Sequence, residues 1–190
     1  MTASSEIADA LKGRFPEGAI EPVQAADGMP TLYVAREQLV EVCRELRDRP
    51  ELRFVFAADM TAADFMPREP RYEVVIHLSS FGVGGYGDAP KRLRLKVRVR
   101  SDDAVLPTIS GVWPAMAWAE REVWDLFGIA FDGNPDKRRI LMPEDWEGHP
   151  ARKDYPVQIK MTPKVYEPLQ LTPEEFAMNV RAGRGRGPRE

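Results

Sequence analysis

The chain has 190 residues and a formal charge of −3, because 27 Lys and Arg oppose 30 Asp and Glu. This length favours one domain, two at most, and the slight acidity argues against a protein that wraps nucleic acid. A single cysteine, Cys43, excludes an internal disulfide, a multi-cysteine zinc site and a four-cysteine iron–sulfur cluster. No apolar run approaches the ~20 residues that cross a bilayer, and residues 1–15 lack the apolar core of a secretion signal, so we expect a soluble protein of a reducing compartment.

The first part of the sequence predicts a helix, a hairpin and a second helix. Ile7, Leu11 and Phe15 recur every four residues, which predicts a helix that ends at Pro16. Short stretches at 19–23 and 31–34 predict a weak strand or hairpin. Residues 36–49 then predict a strong helix. The apolar face of that helix consists of Leu39, Val42, Cys43 and Leu46.

Strands and a further helix follow. Apolar residues alternate with other residues over 52–56, 72–78 and 93–99, which is the period of a strand. Such alternation is typical of an antiparallel sheet with one dry and one wet face. Residues 112–127 predict a helix that Gly128 ends.

Two motifs near these strands have competing interpretations. At 82–87 the sequence reads GVGGYG, which fits a dinucleotide-binding loop, but a strand follows where that fold requires a helix. We therefore interpret it as a hairpin loop. The strand at 93–99 has a basic face that could hold a phosphate backbone; we favour a solvated face, or one that meets acidic groups of a partner. That face consists of Arg92, Arg94, Lys96, Arg98 and Arg100.

The helix at 112–127 groups three carboxylates, Glu120, Glu122 and Asp125. They could serve acid–base catalysis or bind a metal, but no histidine is near in sequence. Arg121 lies four residues from Asp125 and can pair with it, so an ion-paired helix face is the favoured interpretation.

A short loop after this helix also carries metal-binding side chains. The spacing of these residues along the sequence matches no ligand set of a known divalent-ion site, so we do not favour a metal site here. We find no catalytic set in the sequence, which is more typical of a subunit than of an enzyme. The loop residues are Glu144, Asp145, Glu147 and His149.

The composition changes at Asp132, and prolines become frequent from there on. We predict a compact domain at 1–131, an extended proline-rich arm at 132–180 that docks on partner subunits, and a disordered basic tail at 181–190. Apolar residues alternate at the start of the second half of the arm, so strand addition to a partner's sheet is one mode of docking. These residues are Tyr155, Val157, Ile159 and Met161.

Residues 120–156 resemble the signature of the C subunit of NADH–quinone oxidoreductase, the thirty-kilodalton subunit of respiratory complex I. The matching stretches read EREVWDLFGI at 120–129, NPDKRRIL at 134–141 and EGHPARKDYP at 147–156. Two residues depart from the family's usual pattern. Asn134 stands where a basic residue is usual, and Lys137 stands where leucine is usual.

The resemblance implies an α+β fold, with a mostly antiparallel or mixed sheet, two to three helices and an extended C-terminal arm. It implies a structural and assembly subunit of the hydrophilic arm of a proton-pumping NADH:quinone oxidoreductase, with no catalytic, cofactor-binding or metal site of its own. The parent complex would use FMN, iron–sulfur clusters, NADH and quinone.

The resemblance also implies partners and a location. The partners would be other complex I subunits, chiefly the large quinone-site subunit and neighbouring iron–sulfur subunits, with no nucleic acid. The chain would be peripheral on the cytoplasmic face of the inner membrane and would reach the membrane only through the complex. The candidate interface residues are Glu120, Arg121, Glu122, Asp125, Arg138, Arg139, His149, Arg152, Lys153, Asp154 and Tyr155.

Two alternatives to this subunit are considered. The first is the equivalent subunit of a related membrane-bound hydrogenase or dehydrogenase. A less favoured alternative is a stand-alone enzyme that uses a metal or the carboxylates of the helix and the loop.

Overall fold

The computed structural model describes residues 3–81, 90–156 and 172–184. It divides the chain into two units, Met1–Tyr155 and Pro156–Glu190. The first unit contains α1 (Ala3–Leu11), β1 (Ile20–Gln24), β2 (Pro30–Val34), α2 (Leu39–Asp48), β3 (Phe56–Asp64), β4 (Tyr72–Ser80), β5 (Lys91–Val99), β6 (Val105–Pro107), α3 (Met116–Phe127) and β7 (Ala130–Asp132). The second contains α4 (Pro173–Arg184).

Five strands form a mixed sheet in the order β1-β2-β5-β4-β3. Every neighbouring pair is antiparallel except β2 and β5, which run parallel with Leu32 opposite Leu95. Strands β6 and β7 form a separate parallel pair. The α+β fold with a mixed sheet is thereby confirmed, and the parallel pairing is the feature that the alternation alone does not predict.

The core lies on the apolar face of the sheet. Alternate residues of β4 and β5 are buried, as predicted, and the apolar face of α2 joins the same core. Helix α3 packs beside β3. The most deeply buried residues of this core include Leu32, Val42, Cys43, Leu46, Val74, Ile76, Leu93, Leu95 and Val97.

Three element boundaries differ from the predicted ones for local reasons. Helix α1 ends at Leu11 rather than near Phe15, since Gly13 takes the left-handed backbone with a φ of 80°. Strand β3 begins at Phe56 rather than at 52, because the Phe54 N–H donates to the Leu46 carbonyl and ties this stretch to the end of α2. Helix α3 begins at Met116, after a turn at 109–115.

The basic face of β5 pairs with acidic groups of the same chain. Arg94 contacts Asp27 at 2.6 Å, and Lys96 contacts the buried Glu73 at 3.1 Å. Arg98 and Arg100 likewise pair with Glu21 and Asp102. Four of the five basic residues therefore have acidic partners within this chain, and Arg92 is exposed. The two predicted alternatives, a solvated face and a face that meets acidic groups of another protein, do not include this internal pairing.

The element after the glycine-rich motif is the strand β5, as predicted, and not the helix that a dinucleotide-binding loop requires. Strands β4 and β5 pair in antiparallel fashion up to Ser80 and Lys91. Residues 82–87 themselves lie outside the described residues.

The compact unit extends to Tyr155, later than the predicted boundary at 131, because residues 133–155 are bonded to α3 and to the turn between β3 and β4. The predicted arm and tail also contain a helix, α4, which spans Pro173–Arg184. The Glu175 N–H donates to the Thr172 hydroxyl, and the Thr172 N–H donates to the Glu175 carboxylate, which is a capping box. Residues 157–171 and 185–190 lie outside the described residues, as does the predicted strand addition at Val157, Ile159 and Met161.

Within the described residues, no helix is both long enough and apolar enough to span a bilayer.

Candidate functional site on helix α3

Asp125 organises the segment that follows α3. Its buried carboxylate accepts the backbone N–H groups of Ile140, Leu141 and Met142 at 2.8–3.1 Å and the guanidinium of Arg139 at 2.5 Å. Burial by itself would raise the pKa of Asp125, but these donors together lower it. Asp125 is therefore an anion held by four donors, which fixes residues 139–142 against the helix.

Arg139 extends this bonding into the following loop. Besides Asp125, it donates to the carbonyls of Trp146 at 2.8 Å and Gly148 at 3.0 Å, and its guanidinium lies 5.4 Å from the ring centre of Trp124. Arg139 therefore holds the backbone of loop 144–149, the loop that was considered above as a divalent-ion site.

His149 and Arg152 bind the C-terminal end of α3. The His149 Nδ1 lies 3.0 Å from the Asp125 carbonyl, and the Arg152 Nε donates to the Phe127 carbonyl at 2.5 Å. Both side chains pack over Gly128, whose φ of 73° ends the helix. Burial lowers the pKa of His149 despite its contact with the Asp125 carbonyl. The uncharged ring is therefore the form that fits this position.

Arg121 fastens the start of the segment. Its Nε and Nη2 donate to the carbonyls of Arg138 and Arg139 at 2.9 and 2.8 Å, and its Nη1 lies 3.0 Å from Asp136. The predicted pair between Arg121 and Asp125 is wrong, because each residue finds a partner in the segment that packs on the helix instead of in its own helix.

Glu120 is buried under the same segment. Its carboxylate accepts the Thr108 hydroxyl at 2.7 Å, the Ile109 N–H at 2.8 Å and the Asn134 side-chain amide at 2.6 Å. Burial raises the pKa of Glu120, and these bonds only partly oppose the shift. Asn134, one of the two departures from the usual pattern, also donates to the Ala117 carbonyl, so it joins the segment to α3.

The end of the segment is bonded to the turn between β3 and β4. Arg71 lies 2.7 Å from the carboxylates of both Asp64 and Asp154, and the Lys153 N–H donates to Asp64 at 2.8 Å. The Arg71 guanidinium, helped by backbone N–H donors, lowers the pKa of Asp64 well below its usual range. The Tyr155 hydroxyl donates to the Glu147 carbonyl.

We call residues 133–155, bonded in this way to α3 and to the β3–β4 turn, the clasp. Nearly all predicted interface residues take part in it: Glu120, Arg121, Asp125, Arg138, Arg139, His149, Arg152, Lys153, Asp154 and Tyr155. Glu122 is different, since it is exposed and has no partner among the described residues. That these predicted interface residues contact other subunits stays a prediction.

Sequence reasoning missed Asp64, Arg71 and the role of Asn134. Asp64 and Lys153 are 89 residues apart, so no local pattern links them. In the sequence, Asp64 and Arg71 look like an ordinary charged pair beside a hairpin. Their contacts with the clasp become visible only in the folded structure.

The metal alternative has little support among the described residues. His149 faces the end of α3, and no group of three or more His, Cys, Asp and Glu side chains is placed to hold a metal within 3–81, 90–156 and 172–184. Cys43 is fully buried, and burial raises the pKa of its thiol far above the usual value. A thiol in that state is a poor metal ligand.

Comparison with known proteins agrees with the resemblance. Residues 32–160 match the family described as "Respiratory-chain NADH dehydrogenase, 30 Kd subunit". The chain is 42% identical over 154 residues to the C subunit of NADH-quinone oxidoreductase from Roseiflexus sp. (strain RS-1), a match that covers 81% of this chain and 84% of that relative. It is 44% identical over 149 residues to a C-type subunit of the same enzyme from Rhizobium meliloti (strain 1021), covering 78% of each.

Two solved structures are also similar. A trypsin-resistant fragment (1-134) of Nqo5 has a TM-score of 0.55 and 29% identity, covering 70% of this chain and 97% of the fragment. A chain of the membrane-bound sulfane sulfur reductase, an archaeal respiratory membrane complex, has a TM-score of 0.64 and 25% identity, covering 80% and 85%.

The α+β fold with a mixed sheet, which is similar to that of the Nqo5 fragment, and the family match over residues 32–160 define the chain as an oxidoreductase subunit of the respiratory chain. The chain belongs to the 30 kDa subunit family of respiratory-chain NADH dehydrogenases.

Proposed function

We propose that this chain is the non-catalytic C subunit in the hydrophilic arm of a proton-pumping NADH:quinone oxidoreductase, where it supplies docking surface and supports assembly. Electrons pass through its neighbours, which hold the FMN and the iron–sulfur clusters. The observation that carries this proposal is the clasp. The carboxylate, arginine and histidine side chains that could take part in catalysis instead form hydrogen bonds and ion pairs within the chain.

The α3 side chains that bind the clasp support a structural role. The Asp125 carboxylate already accepts four bonds, and the Arg121 guanidinium is shared between two carbonyls and Asp136. A catalytic acid or base must be able to reach a substrate proton, and these groups face the chain's own backbone. Rigid presentation of a surface is the function that such bonding serves.

We propose as partners the large quinone-site subunit and neighbouring iron–sulfur subunits, with no FMN, cluster or metal on this chain. Its one thiol, Cys43, is buried in the core. The location we propose is peripheral, on the cytoplasmic face of the inner membrane. It is supported by the names of the relatives, which are subunits of quinone-reducing enzymes, since quinone is dissolved in the membrane.

The similarity to the sulfane sulfur reductase chain favours a second candidate, the equivalent subunit of a related membrane-bound respiratory complex. The curated relatives with 42–44% identity are NADH-quinone enzymes, which favours the first candidate.

A tagged chain expressed in its native host tests the proposal. Membranes are solubilised, the tagged chain is purified, and the preparation is assayed for NADH oxidation with a quinone acceptor and for co-purifying flavin and iron. We expect quinone reductase activity to follow the tag, and the chain separated from the complex to be colourless and inactive. A tagged chain that purifies without redox subunits, or that holds flavin or clusters by itself, would contradict the proposal.

A further inference from the structure

One end of the five-stranded sheet exposes a group of apolar side chains. Because β3, β4 and β5 alternate in direction, Phe56 at the start of β3 lies opposite Ser79 of β4, and Ser79 lies opposite Arg92 of β5. The rings of Phe56 and Phe81 are 48% and 65% exposed, and their centres lie 5.8 Å apart. Val55, which precedes Phe56, is also exposed. Single exposed apolar side chains are ordinary, but contiguous ones mark interaction sites.

Basic side chains lie at the same end of the sheet. Arg53, Lys91 and Arg92 are exposed, and none has an acidic partner within 3–81, 90–156 and 172–184. Lys91 is opposite Ser80, the residue before Phe81. Arg53 follows Leu52, which lines one cleft together with Lys91 and Arg92. The cations and the apolar group therefore form one continuous surface.

Four acidic side chains of the described residues lie near this end, and they do not neutralise it. Asp27 and Glu51 already pair with arginines of this chain. Glu6 and Asp59 have no arginine or lysine partner in the described part of the chain, and Asp59 lies 3.9 Å from the ring of His77. Three cations without acidic partners therefore exceed two such carboxylates, which leaves the surface positive.

We infer that this end of the sheet binds a segment of another subunit that presents a large apolar side chain close to an acidic one. The inference rests on the proposed function and names the chemistry of one partner. We call this end the Phe81 surface; it consists of Arg53, Val55, Phe56, Phe81, Lys91 and Arg92.

The spacing across the sheet determines how the two side chains of the partner are arranged. Phe56 and Arg92 lie two strands apart, which is about 10 Å. An extended segment advances about 3.3 Å per residue, so an acidic residue within about three positions of the apolar one reaches Arg92. The apolar side chain would pack against the rings of Phe56 and Phe81, as aromatic groups favour.

The charge of the surface favours a protein partner over a membrane. Segments that bind anionic lipids typically carry about four to eight clustered Lys and Arg residues. The Phe81 surface has three, and the carboxylates of Glu6 and Asp59 beside it would be repelled by anionic headgroups. An apolar centre with charged residues around it is instead the usual arrangement of a protein interface.

The first experiment measures competition for a place in the complex. Wild-type and variant chains are expressed together in the native host, the complex is purified through a tag on another subunit, and mass spectrometry gives the ratio of the two forms relative to whole cells. We expect Phe81→Ala to be under-represented about tenfold and Arg92→Gln about threefold. Arg92→Glu should be excluded more strongly than Arg92→Gln, because it repels an acidic partner.

Lys12→Gln is the matched control for charge. Lys12 is an exposed cation that pairs with Asp9 of α1 and lies outside the Phe81 surface, so this variant should enter the complex at the wild-type ratio. Because the Phe81 side chain is largely exposed, its replacement should leave the melting temperature of the free chain unchanged. Wild-type incorporation of Phe81→Ala, or equal incorporation of Arg92→Glu and Arg92→Gln, would overturn the inference.

The second experiment identifies the occupant. A photo-crosslinking aromatic amino acid at position 81 is activated in the assembled complex, and mass spectrometry identifies the attached peptide. A peptide of another subunit with an acidic residue within about three positions of a large apolar one would support the inference. A peptide of this chain, a peptide without an acidic residue, or no crosslinked peptide would overturn it and leave the proposed function intact.

Two further results separate the remaining possibilities. Sedimentation of the purified chain with vesicles of phosphatidylserine and phosphatidylcholine should leave it in the supernatant, and loss of vesicle binding in Phe81→Ala would assign the surface to lipid instead. Wild-type chain that is absent from the purified complex would overturn the proposed function and this inference together.

Discussion

Asp125 shows how one residue can stabilise a whole segment. Its carboxylate is fully buried and is balanced by Arg139 and three backbone N–H groups. Removing one member of a buried ion pair leaves the other charge unpaired in a poor solvent. That cost is larger than the net contribution of the intact pair.

We therefore expect Asp125→Asn to lower the free energy of unfolding by about 3 kcal/mol. Urea titration of the full chain is the measurement. Asp132→Asn, at an exposed carboxylate without a described partner, is the control and should change stability by less than about 0.5 kcal/mol. Equal effects of the two changes would show that Asp125 does not anchor the clasp.

Gly128 is needed for both its backbone and its lack of a side chain. Its φ is 73°, and an added Cβ would lie 2.6 and 2.7 Å from two atoms of the His149 ring. We expect Gly128→Ala to destabilise the fold by about 2 kcal/mol, from the backbone strain and the displaced imidazole together.

Gly111→Ala is the matched control, since a Cβ there would meet nothing within 4 Å and its φ is not in the left-handed region. The melting temperatures of the two variants, measured in parallel, test this expectation. If Gly128→Ala melts no lower than Gly111→Ala, the clasp does not depend on the close contact at the end of α3.

We expect the stability of the clasp to depend on pH through His149. Burial lowers the pKa of His149 in the folded state, and the nearby Arg152 and Arg139 act in the same direction. The unfolded-state pKa is about 6.5, so the contribution of the neutral ring is complete above that pH. It is lost as the pH falls through the folded-state pKa.

We expect the free energy of unfolding to fall more steeply in wild type than in His149→Gln between about pH 7.5 and pH 5.5. Guanidinium titrations of both proteins at the two pH values give the four free energies of unfolding. Parallel losses in the two proteins would assign the pH dependence to other groups.

Arg121 connects α3 to the beginning of the clasp. It donates to the carbonyls of Arg138 and Arg139 and pairs with Asp136. From the sequence alone, this arginine is a candidate interface residue. The bonds show a structural role, so replacement should loosen the chain around it.

We expect Arg121→Ala to cost about 2–3 kcal/mol and to speed trypsin cleavage after Lys137 and Arg138. Mass spectrometry of a short digestion gives the cleavage rate at these sites. Arg44→Ala removes an exposed arginine that pairs with Glu41 within one helix and should leave the rate unchanged. Unaltered cleavage in Arg121→Ala would refute this structural role.

Elements with a strong period were predictable from the sequence, and pairings between distant elements were not. The alternation in β4 and β5 and the apolar face of α2 follow from which side chains avoid water, so the sequence alone reveals them. The partners of Asp125 lie 14–17 residues further along the chain. For that region the sequence offers only a change in composition and the family resemblance, and neither gives contacts.

The clasp sets where the folded unit ends. Residues up to Tyr155 belong to it, because Arg71 and Asp64 bind Asp154 and Lys153. The change in composition at Asp132 suggested an earlier boundary. Proline content reports extended backbone, and extended backbone can be firmly bound when side chains satisfy its hydrogen bonds.

Two truncations distinguish these boundaries. A chain that ends at Pro156 should unfold cooperatively with nearly the melting temperature of the full protein, while it associates less well with the complex. A chain that ends at Asp132 loses every partner of Asp125 and should aggregate or melt far lower. Circular dichroism melting of both gives the answer, and unfolding of the longer chain would place the later residues in the core.

The parallel pairing of β2 with β5 has a consequence for how the chain is made. Residues 31–33 leave the ribosome long before residues 94–96, with which they pair. During that interval the growing polypeptide presents a bare strand edge and the unsatisfied apolar faces of α1 and α2. We expect fragments released by stalled translation between β2 and β5 to aggregate, unless a chaperone protects them at this stage of synthesis.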